Sequence, residues 1–449
     1  MRSRTRSGWL PTAFAAGFAT VASVSFEVAA QDPSPGASTS ISGLNFKDGI
    51  EVPRLSTERA PYDPSTTRKT VAFYEDLVQR QPKGYFEHRE LAGAYLARQR
   101  ESGDIADAVR AERAARRSLE LLTRNNAGAA IRLAQAMLAQ HRFPEALAMA
   151  QAAARADSKA ERIVIDVQLE LGEYDAATLG LQALTTEPDD LNLMALQARF
   201  AAISGKPDQS LQLMRDAAKI ADTRPDMPAE VVGWYHTMVG HQLIDAGQLE
   251  EGEKACEKAL TIFPNDYRAM TGMAEAAAWR GDHAGALKWA AEAIRLAPQN
   301  PEALRLAGEA AAGMGKTVAA NKQFQALRDL AHSFPRIYDQ HWAMFCLDSD
   351  QDLDEAMTLA RQDLQLRHDV HAHDTLAWAC YKKGILDEAD REMTHAMAQG
   401  TQEAGLYHHA ALIAHARGDE ARSATLMATA KRLNPYLVKN AEAGKPTTP

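Results

Sequence analysis

The 449-residue chain has only three cysteines, an aromatic content of 6% and no apolar run after residue 30 that approaches the length of a membrane span. An odd cysteine count excludes a fully paired disulfide framework. Cys256 and Cys380 fall at interior helix positions, where a thiol behaves as a small apolar group; a Cys346–Cys380 bridge between neighbouring units is the alternative. Basic residues do not dominate either, with 50 Lys and Arg against 59 Asp and Glu and a formal net charge of −9. That balance argues against binding nucleic acid through a general basic surface. There is no glycine-rich phosphate loop, nucleophile elbow or His-Glu zinc helix. The sequence therefore points to no catalytic residue, cofactor or metal. HDVHAHD (368–374) is the one metal-like cluster. On a helix, residues two apart diverge, and Asp369 reads better as an N-cap.

What is present is a period. Over residues 231–332 one 34-residue unit runs three times without a gap. Gly247, Gly281 and Gly315 recur at that interval, as do Pro264 and Pro298, Gly240/Ala274/Gly308 and Gly252/Ala286/Ala320. Two antiparallel helices per unit account for each offset. Small residues let the helices cross closely, the turn glycine takes a positive φ, and the proline ends the second helix. A lone unit cannot bury its apolar face, so the units must stack.

This stretch resembles the tetratricopeptide repeat family. The resemblance implies an all-α fold, a right-handed superhelical solenoid of antiparallel helix pairs, acting as a scaffold for a protein or peptide partner. HDTLAWACYKKGILDEA (373–389) is the most repeat-like phrase, and about ten units or part-units follow one another from residue 67 to 437. Over 70–437, IYDQHWAMF, the DLDEAM block and DTLAWACYKKG resemble a group of bacterial secreted or envelope tetratricopeptide proteins.

The chain divides as follows. Residues 1–30 have three arginines, an uncharged run from Trp9 to Phe26 and small residues at Val28–Ala30, the layout of a signal peptide; an uncleaved anchor is the alternative. A periplasmic or secreted location follows, with no membrane span in the mature chain. Residues 31–66 read as a disordered, Pro/Ser/Gly-rich leader, 67–221 as N-terminal repeats, 222–230 as a linker or bend, 231–437 as C-terminal repeats and 438–449 as a disordered tail. QRESGDIAD (99–107) reads as a long turn in an early unit.

In this family the first helix of each unit lines the concave face. Register taken from the turn glycines places Trp234, Thr237, His241 and Asp245 there, then Arg268, Glu275 and Trp279, then Arg305, then Tyr338 and His341. His371, Asp374, Trp378 and Tyr381 follow, and then His408. Rings and histidines on a concave face suit an extended peptide. The alternative is a carbohydrate-binding or enzyme-accessory protein whose groove aromatics stack on sugars. Nine of the fourteen histidines lie after residue 330, which predicts charge gain there as pH falls through about 6.5.

Overall fold

A computed structural model describes residues 59–184 and 189–437; the expected signal peptide, most of the expected leader and the expected tail lie outside them. Among the described residues every regular element is helical. One helix, α1 (Thr66–Arg80), precedes ten antiparallel pairs. The first five pairs are α2 (Tyr85–Ser102) with α3 (Ile105–Leu121), α4 (Ala127–Ala139) with α5 (Phe143–Ala154), α6 (Glu161–Leu171) with α7 (Tyr174–Ala183), α8 (Leu191–Ile203) with α9 (Pro207–Asp222), and α10 (Ala229–Asp245) with α11 (Leu249–Ile262). The second five are α12 (Tyr267–Arg280) with α13 (His283–Leu296), α14 (Pro301–Gly313) with α15 (Thr317–Ser333), α16 (Asp339–Asp348) with α17 (Leu353–Leu366), α18 (Val370–Lys382) with α19 (Leu386–Ala396), and α20 (Ala404–Ala416) with α21 (Glu420–Leu433).

The repeat chemistry explains each pair. The mid-unit turn takes positive φ in every unit: glycine in eight, His141 in the second and Asp350 in the eighth. Small residues sit where helices cross. A Cβ on Gly240 would lie 2.5 Å from Cys256 Sγ, and one on Gly308 would lie 2.2 Å from the Phe324 ring. Side-chain oxygens of Asp104, Asp190, Asp266, Asn300 and Asp369 cap the helices they precede. Cys256, Cys346 and Cys380 are all free and buried, so the Cys346–Cys380 bridge does not form. QRESGDIAD is not a long turn. Helix α2 runs through it to Ser102, and Gly103 in the left-handed region with Asp104 as N-cap turns the chain in two residues.

First and second helices differ in burial. Helix α12 is buried over most of its circumference, from Tyr267 to Trp279, whereas α13 buries only Ala286, Ala290 and Ala293. First helices therefore face the interior of the coil, and second helices form its outer wall. Across residues 222–229 the apolar packing is continuous, because Ala217, Ala218 and Ala221 share a cluster with Val231, Val232 and Trp234.

The coil closes on itself. The turn of each of the first five units rests on the loop that closes the unit five places later. Gln299 Oε1 accepts from the Ile105 N–H at 3.1 Å, and His141 Nδ1 lies 3.3 Å from the Arg336 carbonyl. The His368 N–H donates to the Leu171 carbonyl at 2.9 Å, Thr401 Oγ1 donates to that of Ile203 at 2.5 Å, and Asn434 Nδ2 donates to that of Asp245 at 3.1 Å. The molecule is thus two stacked coils of five units joined along a seam. Turn glycines record the difference. A Cβ on Gly205 would lie 2.2 Å from the Gly400 carbonyl oxygen, but one on Gly281, Gly315, Gly384 or Gly418 would meet nothing within 4 Å.

Candidate functional site

Five units per coil leave a narrow interior, and the first helices fill much of it with polar side chains. Arg305 is buried between Glu302 and Glu309, donating to Glu309 at 2.5 Å and pairing with Glu302. Burial pushes Glu309 up to about 7 against the pull of Arg305, whereas Glu302 is held below the usual carboxylate range because Arg305 outweighs its burial. Glu275 is fully buried, and burial together with repulsion from Glu302 pushes its carboxyl up to about 8. Trp378 Nε1 donates to Asp348 at 3.0 Å, and the Trp378 ring stacks on His409 at 4.2 Å and on Tyr381 at 4.9 Å.

The other groove residues read from the sequence are placed as follows. Trp234 is buried edge-on against Tyr235, and Thr237 donates to Asp266 at 2.7 Å. His241 Nε2 lies 3.1 Å from the Arg268 carbonyl, and Arg268 Nη1 reaches across the seam to the Arg100 carbonyl at 2.8 Å. Tyr338 is buried against Phe334. Burial holds His341 below the usual histidine range and His408 at about 3. His408 therefore stays neutral across the pH window in which exposed imidazoles charge, and the raised interior carboxyls of Glu309 and Glu275 titrate there instead.

Four of the predicted residues, Asp245, Trp279, His371 and Asp374, converge on one cavity of about 470 Å³. It lies where the turns of the fourth and fifth units face the loops closing the ninth and tenth. Its volume falls within the ordinary range for ligand pockets. Gln242, Gln402, Glu403 and His409 also line it, with Asp208 and Arg432 toward the outside. Sequence register missed these residues. Gln402 and Glu403 sit in an inter-unit loop that only coil closure brings inward, and His409 is one position beyond the histidine assigned to the concave face. His409 Nδ1 lies 2.9 Å from Asp374 Oδ1, and His371 Nε2 lies 3.7 Å from Glu403. The Asp245 carboxyl is held well above its usual range by burial and by the charges of Glu275 and Glu403.

Residues 243–310 match the family model of the tetratricopeptide repeat. No curated protein matches the sequence. Among solved structures, the chain is similar to the anaphase-promoting complex hetero-tetramer Cut9-Hcn1, at 13% identity and a TM-score of 0.34 over 85% of this chain and 93% of that one. It is also similar to a tetratricopeptide repeat protein from Parabacteroides merdae, at 14% identity and a TM-score of 0.34 over 57% of this chain and 98% of that one. The family match covers residues 243–310, from the end of α10 into α14, and the other described helix pairs stack on either side of that stretch.

Proposed function

We propose that this solenoid is a non-catalytic scaffold of the bacterial cell envelope that holds a short segment of a partner protein in the seam cavity. The cavity carries the reading. It is a space with converging polar groups, in a family whose fold serves protein interaction, and its volume suits a few side chains rather than a folded domain. The basic, then apolar, first 30 residues support the envelope location. A sugar platform would need open aromatic faces, and Trp234, Trp279 and Trp378 are 1%, 5% and 4% exposed. That observation favours the peptide.

The test fills the cavity without disturbing the fold. Gly405 lines it, and a Cβ there meets nothing within 4 Å. We expect residues 31–449 to retain a partner from envelope extract and Gly405→Phe to lose it, read by mass spectrometry beside a circular dichroism check of folding. A partner kept equally by both proteins would place binding elsewhere on the solenoid. No specific partner for either would refute the scaffold reading in that extract.

A further inference from the structure

The cavity is unbalanced in charge. Four carboxyl residues line it, Asp208, Asp245, Asp374 and Glu403, against a single Arg or Lys, Arg432, whose side chain is exposed. Glu275 adds to the field behind Asp245. Buried carboxyls normally find a cation or a hydrogen-bond donor, because burying an unpaired charge is expensive. Here Asp245 Oδ2 is buried without a hydrogen-bond partner. The second and independent observation is His409. Its side chain is 1% exposed and lines the cavity, and its Nε2 makes no hydrogen bond. Because a carboxylate can only accept, the short contact to Asp374 assigns the proton of a neutral imidazole to Nδ1, leaving Nε2 as an open acceptor.

We propose that the seam cavity binds a primary alkylammonium, the ε-amino group of a lysine on the partner segment, with Asp245, Glu403 and His409 Nε2 as its acceptors. This rests on the scaffold reading and names the chemistry of the guest. The three acceptors come from three elements: Asp245 from the end of α10, Glu403 from the loop before α20, and His409 from α20 itself. Separated acceptors suit the three rotatable donors of an ammonium better than the planar fork of a guanidinium. An anionic guest would meet the same carboxyls as repulsion. The raised titration of Asp245, due to burial and then to the charges of Glu275 and Glu403, and that of Glu403, due to burial against the pull of His371, mark the strain that an entering cation relieves.

The test is calorimetric titration of residues 31–449 with three probes: acetyl-Gly-Lys-Gly-amide, the same peptide acetylated at the lysine, and 1,4-diaminobutane. We expect saturable binding of the lysine peptide and about tenfold or greater weakening on acetylation, the scale of one lost charge-assisted hydrogen bond. Asp245→Asn and Glu403→Gln should each weaken it similarly, while circular dichroism stays unchanged. Equal affinity for the acetylated peptide, or no saturable binding of either amine up to about 1 mM, would overturn the ammonium proposal. A partner captured in the extract experiment would then leave the scaffold reading standing. Binding of diaminobutane without the peptide would support the ammonium site and count against the peptide as its source.

Discussion

Replacing Arg199 by methionine tests whether the first coil is held by a buried ionic knot. Arg199, on α8, donates to Asp166 Oδ1 and Glu170 Oε1 of α6, both at 2.6 Å, and all three side chains are buried. Across the seam, Arg367 Nη1 stands 4.0 Å from Glu170 and 3.2 Å from Asp369. Methionine keeps most of the volume but leaves two buried carboxyls without their nearest cation. Removing one partner of a buried pair typically costs about 3–5 kcal/mol. Spread over a chain of this length that unfolds as one unit, the loss corresponds to about 4–6 °C in Tm. The pH dependence is the sharper criterion. Burial already pushes Asp166 up to about 7 against the pull of Arg199, and removing Arg199 raises it further. A carboxyl whose folded pKa exceeds its unfolded value binds more protons in the native state, so stability falls as pH rises between the two. The variant should therefore approach the wild type near pH 5.5 and fall furthest behind near pH 8.5. Urea or thermal unfolding at both pH values decides it. A loss under about 1 kcal/mol at pH 8.5, or a gap that does not change with pH, would refute the reasoning. Making Asp166→Leu and Glu170→Met in the same variant should recover much of the loss, since apolar groups can replace a whole buried ionic cluster.

Two further outcomes follow from the seam and the interior. Gly205→Ala and Gly281→Ala both place alanine at positive φ, +72° and +78°, at about 1 kcal/mol each. Only the first drives a Cβ to 2.2 Å from the Gly400 carbonyl oxygen, so it should lower Tm severalfold more; equal losses would mean the seam does not bear on stability. The stability contributed by Glu309, pushed up to about 7, and by Glu275, pushed up to about 8, should decline as pH rises from the unfolded carboxyl value of about 4.3 through those folded values, because the native state holds protons that the unfolded chain has already released. His141, which burial lowers to about 3, contributes the opposite slope below about 6.5, since it stays neutral when folded but charges when unfolded. Glu275→Gln should remove its share of that decline, most visibly between about pH 7 and 8, where Glu309 has already ionised, and an unchanged slope there would show that Glu275 does not titrate in that range.

The regular units were legible because their constraints are local. Gly247, Gly281 and Gly315 mark turns at φ of 70°, 78° and 73°, and Gly240 and Gly252 mark the helix crossing beside Cys256 and Ile244. Each is a steric demand within one unit, so a 34-residue period exposes it. The end of α2 was not legible. Residues 99–102 remain helical through partners far along the chain, as when Arg100 pairs with Glu230 at 3.3 Å. The cavity was half legible for the same reason. Asp245, Trp279, His371 and Asp374 lie on first helices, where family register points inward, whereas Glu403 reaches the cavity only because Thr401 docks on Ile203, 198 positions earlier. Contacts at that separation have no period for a sequence to show. Trp234 carries a practical lesson. With 1% exposure, its replacement by alanine removes core volume worth about 3–5 kcal/mol, so loss of a partner in that variant would report unfolding as readily as a missing contact.

Repeat chains usually tolerate gain or loss of a unit, because each unit touches only its neighbours and the stack merely lengthens or shortens. Here the turn of unit n meets the loop closing unit n + 5 five times in succession, at Ile105, His141, Leu171, Ile203 and Asp245. Excising one internal 34-residue block would move every one of those meetings out of step together and dismantle the wall of the cavity with them. The copy number of this array is therefore constrained like the teeth of meshed gears, and duplication, the ordinary route by which such proteins vary, is closed to its interior.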